Sequence, residues 1–283
     1  MKLIETPRDA WQGINKIVPT TVKAQYLNTL LKVGFDIVEF GSFVSPKAIP
    51  QLADTAKLLK LLNINSSSSH LMVLIGNKRG GETALQFPQI KYISYPFSIS
   101  PTFLKKNINT TIKESIQFIT EFSKKALKNN QELITYITMA FGNPYNDNWS
   151  IDIIRNCVAD LNKIGIRKIT FTDIVGISTP KNIKDVFTAV ISEYPQIEFG
   201  FHLHTTANTW YNKIDAAYKS GCRSFDSVIN GYGGCPFTGK ELLGNLNTIN
   251  MLSYCTKNNI KLPKIDTKQL SITINKATEV FEY

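Results

Sequence analysis

The sequence predicts a (β/α)8 TIM barrel formed by one domain. Short β-rich runs alternate with segments of helical periodicity along the chain. A chain of 283 residues is within the range in which α/β barrels form a single domain, and 43% hydrophobic residues provide a large core. No Ser/Gly linker or Pro-rich tract divides the sequence. We therefore expect a single domain over residues 1–283, including a C-terminal helical segment.

Eight runs have the composition of buried strands, and they are 2–5, 35–40, 71–76, 92–97, 133–141, 168–172, 197–203 and 224–228. Helical periodicity marks the segments between most of them, which are 21–33, 50–62, 112–129, 149–164, 180–194 and 209–220. Gly34, Gly165 and Gly221 each stand just past a predicted helix, where a left-handed residue often ends a helix. An open, doubly wound sheet is the alternative, although neither GxGxxG nor a P-loop follows the first strand.

The charge and hydropathy of the chain exclude several kinds of partner. The net charge is +10, but the lysines are scattered among acidic and polar residues, so we expect a solvated surface and no nucleic-acid partner. No run approaches the roughly 18 apolar residues of a membrane span, so no membrane partner is expected. The amino terminus lacks the pattern of a signal peptide, which predicts a cytoplasmic protein whose four cysteines are free thiols.

Two of the three histidines, His202 and His204, are separated by one residue at the end of a strand-like run. Residues i and i+2 of a strand share a face, so both imidazoles point the same way. Neutral imidazole is a common ligand of divalent metals, and the pair is typical of half a metal site. Two packed histidines at the rim of a core are the alternative. In a barrel, functional residues lie at the carboxyl ends of strands, where Asp9, Glu39 and Asp173 are also predicted.

Several motifs follow one another along nearly the whole chain. They are Pro7-Arg8-Asp9, Glu39 with Ser-Phe-Val-Ser-Pro-Lys at 42–47, Lys-Asn-Ile-Asn at 106–109, Gly-Asn-Pro-Tyr at 142–145, Asp173, His202 with His204, Gly-Gly-Cys-Pro at 233–236, and Gly244-Asn245. In these motifs the chain resembles the hydroxymethylglutaryl-CoA lyase family. That family is part of a metal-dependent barrel superfamily that also contains isopropylmalate and homocitrate synthases. The Ser-Phe-Val-Ser-Pro-Lys and Gly-Gly-Cys-Pro motifs indicate the lyase branch.

The resemblance implies a catalytic barrel that acts as a carbon–carbon lyase. Its acyl-CoA substrate would be 3-hydroxy-3-methylglutaryl-CoA, cleaved to acetyl-CoA and acetoacetate in leucine degradation. By the same resemblance, the metal ligands are Asp9, His202, His204 and Asn245. Two nitrogens and two oxygen groups leave positions for substrate oxygens, which suits Mg²⁺ or Mn²⁺. The family also implies a homodimer.

The resemblance assigns the catalytic steps to four side chains. His202 is the candidate base that takes the proton of the substrate hydroxyl, with Asp9 as the alternative. Arg8 would stabilise the thioester enolate, because its charge is permanent. Cys235, in a glycine-rich loop, corresponds to the thiol that protonates the enolate carbon.

Other residues would support these steps from outside the reacting centre. Glu39 and Asp173 would orient Arg8 or the metal ligands, although carboxylates at strand ends also form purely structural salt bridges. Lys47, Lys106 and Asn107 match the region near the acyl-CoA in the family. Lysine ammonium groups there could meet the phosphates of CoA.

Three positions depart from the family pattern. Ala10 replaces the glycine of Arg-Asp-Gly, Thr205 replaces the aspartate that follows the histidine pair, and Ile249 stands where a glutamate is expected. The loss of two carboxylates leaves other functions open. One is a related aldolase or Claisen-type synthase that acts on a 2-oxo acid or a different acyl-CoA. Another is a catalytically silent barrel that binds an acyl-CoA or a protein partner.

Overall fold

A computed structural model of the chain describes residues 1–14, 16–234, 243–262 and 264–282. Eight parallel strands form its centre, and they are β1 (Lys2–Glu5), β2 (Ile37–Ser42), β3 (His70–Leu74), β4 (Ile90–Ser98), β5 (Glu132–Thr138), β6 (Lys168–Asp173), β7 (Glu198–Thr205) and β8 (Ser224–Ser227). Each strand pairs with the next, and β8 pairs with β1 to close the sheet. The predicted (β/α)8 barrel is confirmed, and the open sheet is excluded. A short strand, β9 (Gly244–Asn245), runs antiparallel to the end of β7.

Helices surround the strands. The described ones are α1 (Pro7–Gln12), α2 (Thr20–Leu30), α3 (Thr55–Leu59), α4 (Lys78–Ala84), α5 (Pro101–Ile108), α6 (Ile112–Lys128), α7 (Ile151–Lys163), α8 (Pro180–Ile191), α9 (Trp210–Lys219), α10 (Thr248–Lys257) and α11 (Thr267–Phe281). The last two form the expected C-terminal helical segment. None of the helices that the structure describes combines the length and the apolar character needed to cross a membrane.

The predicted helix at 50–62 is wrong in its extent. A 3-10 turn (Pro50–Leu52) and the short helix α3 replace it. The backbone carbonyl of Gln51 accepts a hydrogen bond from the buried ammonium group of Lys23, which also forms an ion pair with Asp54 at 2.8 Å. In a continuous helix, each backbone carbonyl accepts a hydrogen bond from the amide four residues later in the chain. The contact with Lys23 instead uses the carbonyl of Gln51 for a tertiary hydrogen bond.

The fifth strand ends three residues earlier than predicted. It stops at Thr138 because Met139 has a positive φ of 60°, which turns the chain away from the sheet. The short helices α1, α4 and α5 were not predicted, since six to eight residues are too few to show clear helical periodicity.

The barrel interior changes character along its axis. One part of it is mostly apolar and is formed by inward side chains of the first five strands, namely Ile4, Ile37, Met72, Tyr92, Ile134 and Tyr136. Toward the carboxyl ends of the strands, buried polar side chains replace them, including Glu39, Thr172, His202 and Asp226. This polar end is the face on which barrel enzymes carry their active sites.

Candidate active site

Closure of the barrel brings the predicted metal ligands together. Asp9 lies in α1, directly after β1, while His202 and His204 are inward residues of β7. One ligand atom from each of the three lies within 4.8 Å of the other two. The Nε2 atoms of the two histidines are 3.4 Å apart, and Nε2 of His204 is 3.5 Å from Oδ2 of Asp9. The histidines therefore face a carboxylate rather than a purely apolar core.

Asn245 completes the group through the short strand β9. Its register places Asn245 opposite His204, and its Nδ2 donates to Oδ2 of Asp9 at 2.9 Å and to the backbone carbonyl of Tyr232 at 2.9 Å. The side chain is thus held beside Asp9. The predicted ligands Asp9, His202, His204 and Asn245 converge at one point, although they come from three separate parts of the sequence.

The chemistry of these groups fits a divalent cation. Nδ1 of His202 lies 3.1 Å from Oδ2 of Asp226, which can only accept, so this nitrogen carries the proton and leaves Nε2 free as a ligand. Burial would raise the pKa of Asp9, but the charge of Arg8 and the hydrogen bond from His204 outweigh it and hold that pKa well below its usual range. A carboxylate and an imidazole lone pair therefore face the same point, as a cation site requires.

Asp226 is a functional residue that the sequence reasoning missed. This inward residue of β8 is 2% exposed, and its Oδ2 accepts from the hydroxyl of Tyr136 at 2.9 Å as well as from His202. Burial would lower the pKa of His202, but the hydrogen bond and charge of Asp226 outweigh it and raise that pKa. The available signal was that Asp226 is the one charged residue of the predicted strand at 224–228. Asp226 fixes the orientation of the His202 ring.

Arg8 and Glu39 form a buried ion pair next to the cluster. NH2 of Arg8 is 2.6 Å from Oε2 of Glu39, and NH1 donates to Oδ1 of Asp9 at 2.9 Å. The other oxygen of Glu39 accepts from Ser94 at 2.6 Å. Burial would lower the pKa of Arg8, but the carboxylates of Glu39 and Asp9 outweigh it and raise that pKa, so the guanidinium stays charged. Glu39 occupies the predicted orienting position.

The cluster lines a cavity of about 370 Å³. Arg8, Asp9, His202 and His204 form part of its wall, and residues of strands β3 to β6 and of the segments that follow β2, β3 and β4 form most of the rest. The segments that follow these strands contribute Val44, Ser45, Asn77, Phe103, Asn107 and Ile108.

The residues predicted to contact CoA differ in their positions. Asn107 lines the cavity, and its side chain donates to the carbonyl of Phe103 at 3.0 Å. Lys106 is exposed, and its ammonium group lies 4.7 Å from the ring centre of Tyr145. Lys47 is exposed in the turn after β2.

Asp173 lies at the end of β6, and its described hydrogen bonds are with the loop that follows β6 and with Lys213 of α9. It accepts from the backbone amides of Ile177 and Ser178 at 3.0 and 2.9 Å, and Nζ of Lys213 lies 3.1 Å away. These contacts match the structural alternative, not the orientation of Arg8. Thr205, similarly, bonds the hydroxyl of Thr209 at 2.9 Å. Ile249 packs against the hydrophobic core.

Cys235 lies outside the described residues, but the loop that leads to it is described up to Gly234. Gly233 has a φ of +90°, and a Cβ there would lie 2.7 Å from the Cα of Ala10. Only glycine allows this close approach. The start of the loop is therefore packed directly on α1, the helix that carries Arg8 and Asp9.

Comparisons with known proteins identify the family of this chain. The family model for HMGL-like proteins matches residues 2–275. The mitochondrial hydroxymethylglutaryl-CoA lyase of Bos taurus is 33% identical over 249 residues, which are 88% of this chain and 76% of the relative. The cytoplasmic 3-hydroxy-3-methylglutaryl-CoA lyase of Homo sapiens is 31% identical and covers 89% of this chain and 68% of its own length.

Among solved structures, an HMG-CoA lyase from Acinetobacter baumannii in complex with coenzyme A and 3-methylmalate superimposes with a TM-score of 0.90. It is 28% identical, and the match covers 100% of this chain and 92% of that one. The family match over almost the entire chain and the relatives above 30% identity lead to one conclusion. This chain belongs to the HMGL-like family, the family of the hydroxymethylglutaryl-CoA lyases.

Proposed function

We propose that this protein cleaves 3-hydroxy-3-methylglutaryl-CoA to acetoacetate and acetyl-CoA. The observation that carries this proposal is the convergence of Asp9, His202 and His204 beside a charged, buried Arg8 in the wall of one cavity. The relatives named as lyases of this substrate and the relative solved with coenzyme A support it. The activity is that of a carbon–carbon lyase on an acyl-CoA.

Asp9, His202, His204 and Asn245 would hold the metal ion, and we propose Mg²⁺ or Mn²⁺. The group contains no thiolate, and carboxylate and amide oxygens are ligands that these hard cations prefer. When bound, such an ion holds oxygens of the substrate and makes its tertiary hydroxyl easier to deprotonate.

Side chains of the protein would then transfer the protons and stabilise the developing negative charge. His202, whose Nδ1 donates to Asp226, can take the proton of the tertiary hydroxyl only through Nε2, so it acts as the base where that nitrogen is not a metal ligand, and Asp9 is the alternative base. The C2–C3 bond breaks, its electron pair moves to C2, and the hydroxyl carbon becomes the ketone of acetoacetate. Arg8, held by Glu39, stabilises the resulting thioester enolate. Cys235 returns a proton to C2, which gives acetyl-CoA.

The part of the cavity that Asn107 lines would hold the CoA part of the substrate. Lys47 and Lys106 are exposed and directly precede the cavity-lining residues Ala48 and Asn107 in the sequence, so their ammonium groups would meet the phosphates. The cytoplasmic location stays a prediction, since the relatives include mitochondrial and cytoplasmic proteins. The homodimer also stays a prediction.

The test is incubation of the purified protein with 3-hydroxy-3-methylglutaryl-CoA and Mg²⁺ or Mn²⁺, with acetoacetate as the measured product. We expect product formation that a chelator abolishes and that added metal restores. His204→Ala should remove both metal binding and activity. His70→Ala is the matched control, because His70 is exposed at the opposite, amino-terminal end of β3. Acetoacetate formation that is absent, or that survives chelation, would refute the proposal.

A further inference from the structure

The end of α11 packs on two segments that adjoin the predicted metal ligands. α11 ends at Phe281, whose side chain is 9% exposed. Its ring stacks with the ring of Tyr232, with 5.0 Å between the ring centres, and with the ring of Trp11, with 5.8 Å between them. The hydroxyl of Tyr232 also donates to Oε1 of Glu282 at 2.7 Å. The end of α11 therefore holds the Tyr232 side chain through a ring and a carboxylate.

Both ring partners of Phe281 adjoin a predicted metal ligand. Trp11 belongs to α1, the helix that carries Asp9. The backbone carbonyl of Tyr232 accepts a hydrogen bond from Nδ2 of Asn245 at 2.9 Å, and the same Nδ2 donates to Oδ2 of Asp9 at 2.9 Å. Phe281 thus joins the helix that carries one ligand to the carbonyl that holds the other.

The carbonyl of Tyr232 decides which atom of the Asn245 side chain is available to a cation. A carboxamide has two N–H donors on its nitrogen and one oxygen acceptor. The carbonyl of Tyr232 and the carboxylate of Asp9 both accept from the nitrogen, so they fix the amide with its Oδ1 as the remaining polar atom. Hard cations bind oxygen, and this orientation is therefore the one that a metal ligand needs.

The backbone around Tyr232 needs support from outside because glycines flank it. Gly231 and Gly233 have φ values of +70° and +90°. Glycine is the least restricted residue, so the local backbone by itself limits the conformation of this segment little. Tyr232 provides the side chain between the two glycines, and its ring stacks with Phe281. The position of the Tyr232 carbonyl therefore depends on the end of α11.

We propose that Phe281 is a positioning residue of the metal site. By stacking with Tyr232 and Trp11, it fixes the Tyr232 carbonyl, which in turn orients the amide of Asn245 for metal binding. This inference rests on the proposed function, because it takes Asn245 as a metal ligand. It gives the last helix of the chain a role in metal affinity in addition to its role in packing.

The test measures the binding of Mn²⁺ to the purified full-length chain by electron paramagnetic resonance, whose signal reports the free ion. We expect Phe281→Ala to weaken Mn²⁺ binding about 3- to 10-fold, less than the roughly 10- to 100-fold loss typical of a residue that hydrogen-bonds a metal ligand directly. The loss is smaller because Phe281 acts on Asn245 through Tyr232.

Leu270→Ala is the matched control. Leu270 lies near the other end of α11 and is 8% exposed, so its truncation also leaves a cavity in the packing of this helix. We expect this variant to lower the midpoint of urea denaturation, as Phe281→Ala does, and to bind Mn²⁺ as the unaltered protein does. An equal loss of Mn²⁺ affinity in both variants would show that α11 supports the fold in general and would overturn the role of Phe281.

Variants of Tyr232 test the path of the effect, and they do so even if Phe281→Ala fails to fold. Tyr232 is half-buried. Tyr232→Leu removes the ring and should weaken Mn²⁺ binding, whereas Tyr232→Phe keeps the ring and should bind Mn²⁺ normally. The double variant of Tyr232→Leu with Phe281→Ala should lose no more affinity than either single variant, because both changes break the same contact. Fully additive losses would contradict the path through Tyr232.

The outcomes separate this inference from the proposed function. Unchanged Mn²⁺ affinity in Phe281→Ala and Tyr232→Leu, or no binding of Mn²⁺ to the unaltered protein, would overturn the role of Phe281. The readout is metal binding, so it does not depend on turnover. If the protein forms no acetoacetate but Phe281→Ala weakens Mn²⁺ binding and Leu270→Ala does not, the lyase proposal fails and the role of Phe281 stands.

Discussion

At the end of β1, the carboxyl group of Glu5 is buried away from the cavity. Its oxygens accept hydrogen bonds from the backbone amide of Ile229 at 2.7 Å and from the hydroxyl of Thr248 at 2.6 Å. Burial nevertheless dominates and raises the pKa of Glu5 from 4.5 to about 8. Between pH 4.5 and about 8, the folded protein therefore keeps the proton of Glu5, which the unfolded chain has lost over most of this range.

This raised pKa makes the folded protein less stable as the pH rises. Because the pKa of Glu5 is higher in the folded state, its stabilising contribution is complete below pH 4.5 and is lost as the pH rises through about 8. Glu5→Gln keeps a neutral group of similar shape at every pH. We expect the free energy of unfolding of the unaltered protein to fall between pH 5 and 8 more steeply than that of the variant, measured by urea denaturation. Equal slopes would show that Glu5 does not titrate as described.

Among the elements, α5 is attached by hydrogen bonds to the loop that follows β5. Asp147 accepts hydrogen bonds from the hydroxyl of Ser100 and from the amide and hydroxyl of Thr102 at 3.1 and 2.9 Å. Burial would raise the pKa of Asp147, but these hydrogen bonds outweigh it and lower that pKa, so the side chain is a carboxylate at the start of the helix. Farther along α5, Lys106 lies over Tyr145 of the same loop.

This attachment predicts an effect on substrate binding. Since α5 supplies Phe103 and Asn107 to the cavity wall, we expect Asp147→Ala to raise KM for the acyl-CoA several-fold and to leave kcat nearly unchanged. Asp152→Ala is the control, because Asp152 is an exposed first-turn carboxylate of α7 whose side chain is 84% exposed. Steady-state kinetics check the prediction, and an equal loss of kcat would contradict it.

For the whole molecule, a row of ion pairs joins the amino-terminal ends of five strands. Glu198 on β7 bonds Lys2 on β1 and Lys168 on β6, and Lys168 continues to Glu132 on β5, which pairs with Lys91 on β4. Burial would raise the pKa of Glu198, but the hydrogen bond from Lys2 and the charge of Lys168 outweigh it and lower that pKa. The row thus links strands that are far apart in the sequence.

Glu198→Gln should lower stability modestly. These side chains are partly exposed, so we expect a loss of about 1 kcal/mol at neutral pH, measured by denaturant unfolding. The pKa of Glu198 is lower in the folded state, so its contribution is present above pH 4.5 and disappears as the pH falls through the folded value. The difference between variant and unaltered protein should therefore vanish in acid and shrink in 1 M salt. A difference that persists under both conditions would refute the ionic explanation.

The sequence by itself determined the class of fold and the identity of most candidate site residues. Its apolar periodicities are local, and they predicted all eight strands in order, which led to the barrel and placed His202 with His204 on one face. The motifs around Arg8, Glu39 and Asn245 indicate the family without any knowledge of contacts between residues. The sequence did not predict the extent of the helix at 50–62, where the tertiary contact of Lys23 interrupts it.

The tertiary structure alone decided which of these residues meet. Closure of the sheet sets β8 between β1 and β7, and this brings Asp9 to the histidines and Asp226 to His202. The sequence did not predict the partners of the polar side chains either, since Asp173 pairs with Lys213 and Asp226 accepts a hydrogen bond from Tyr136. The physical reason is that register between strands depends on packing across the barrel, and no local pattern along the chain records it.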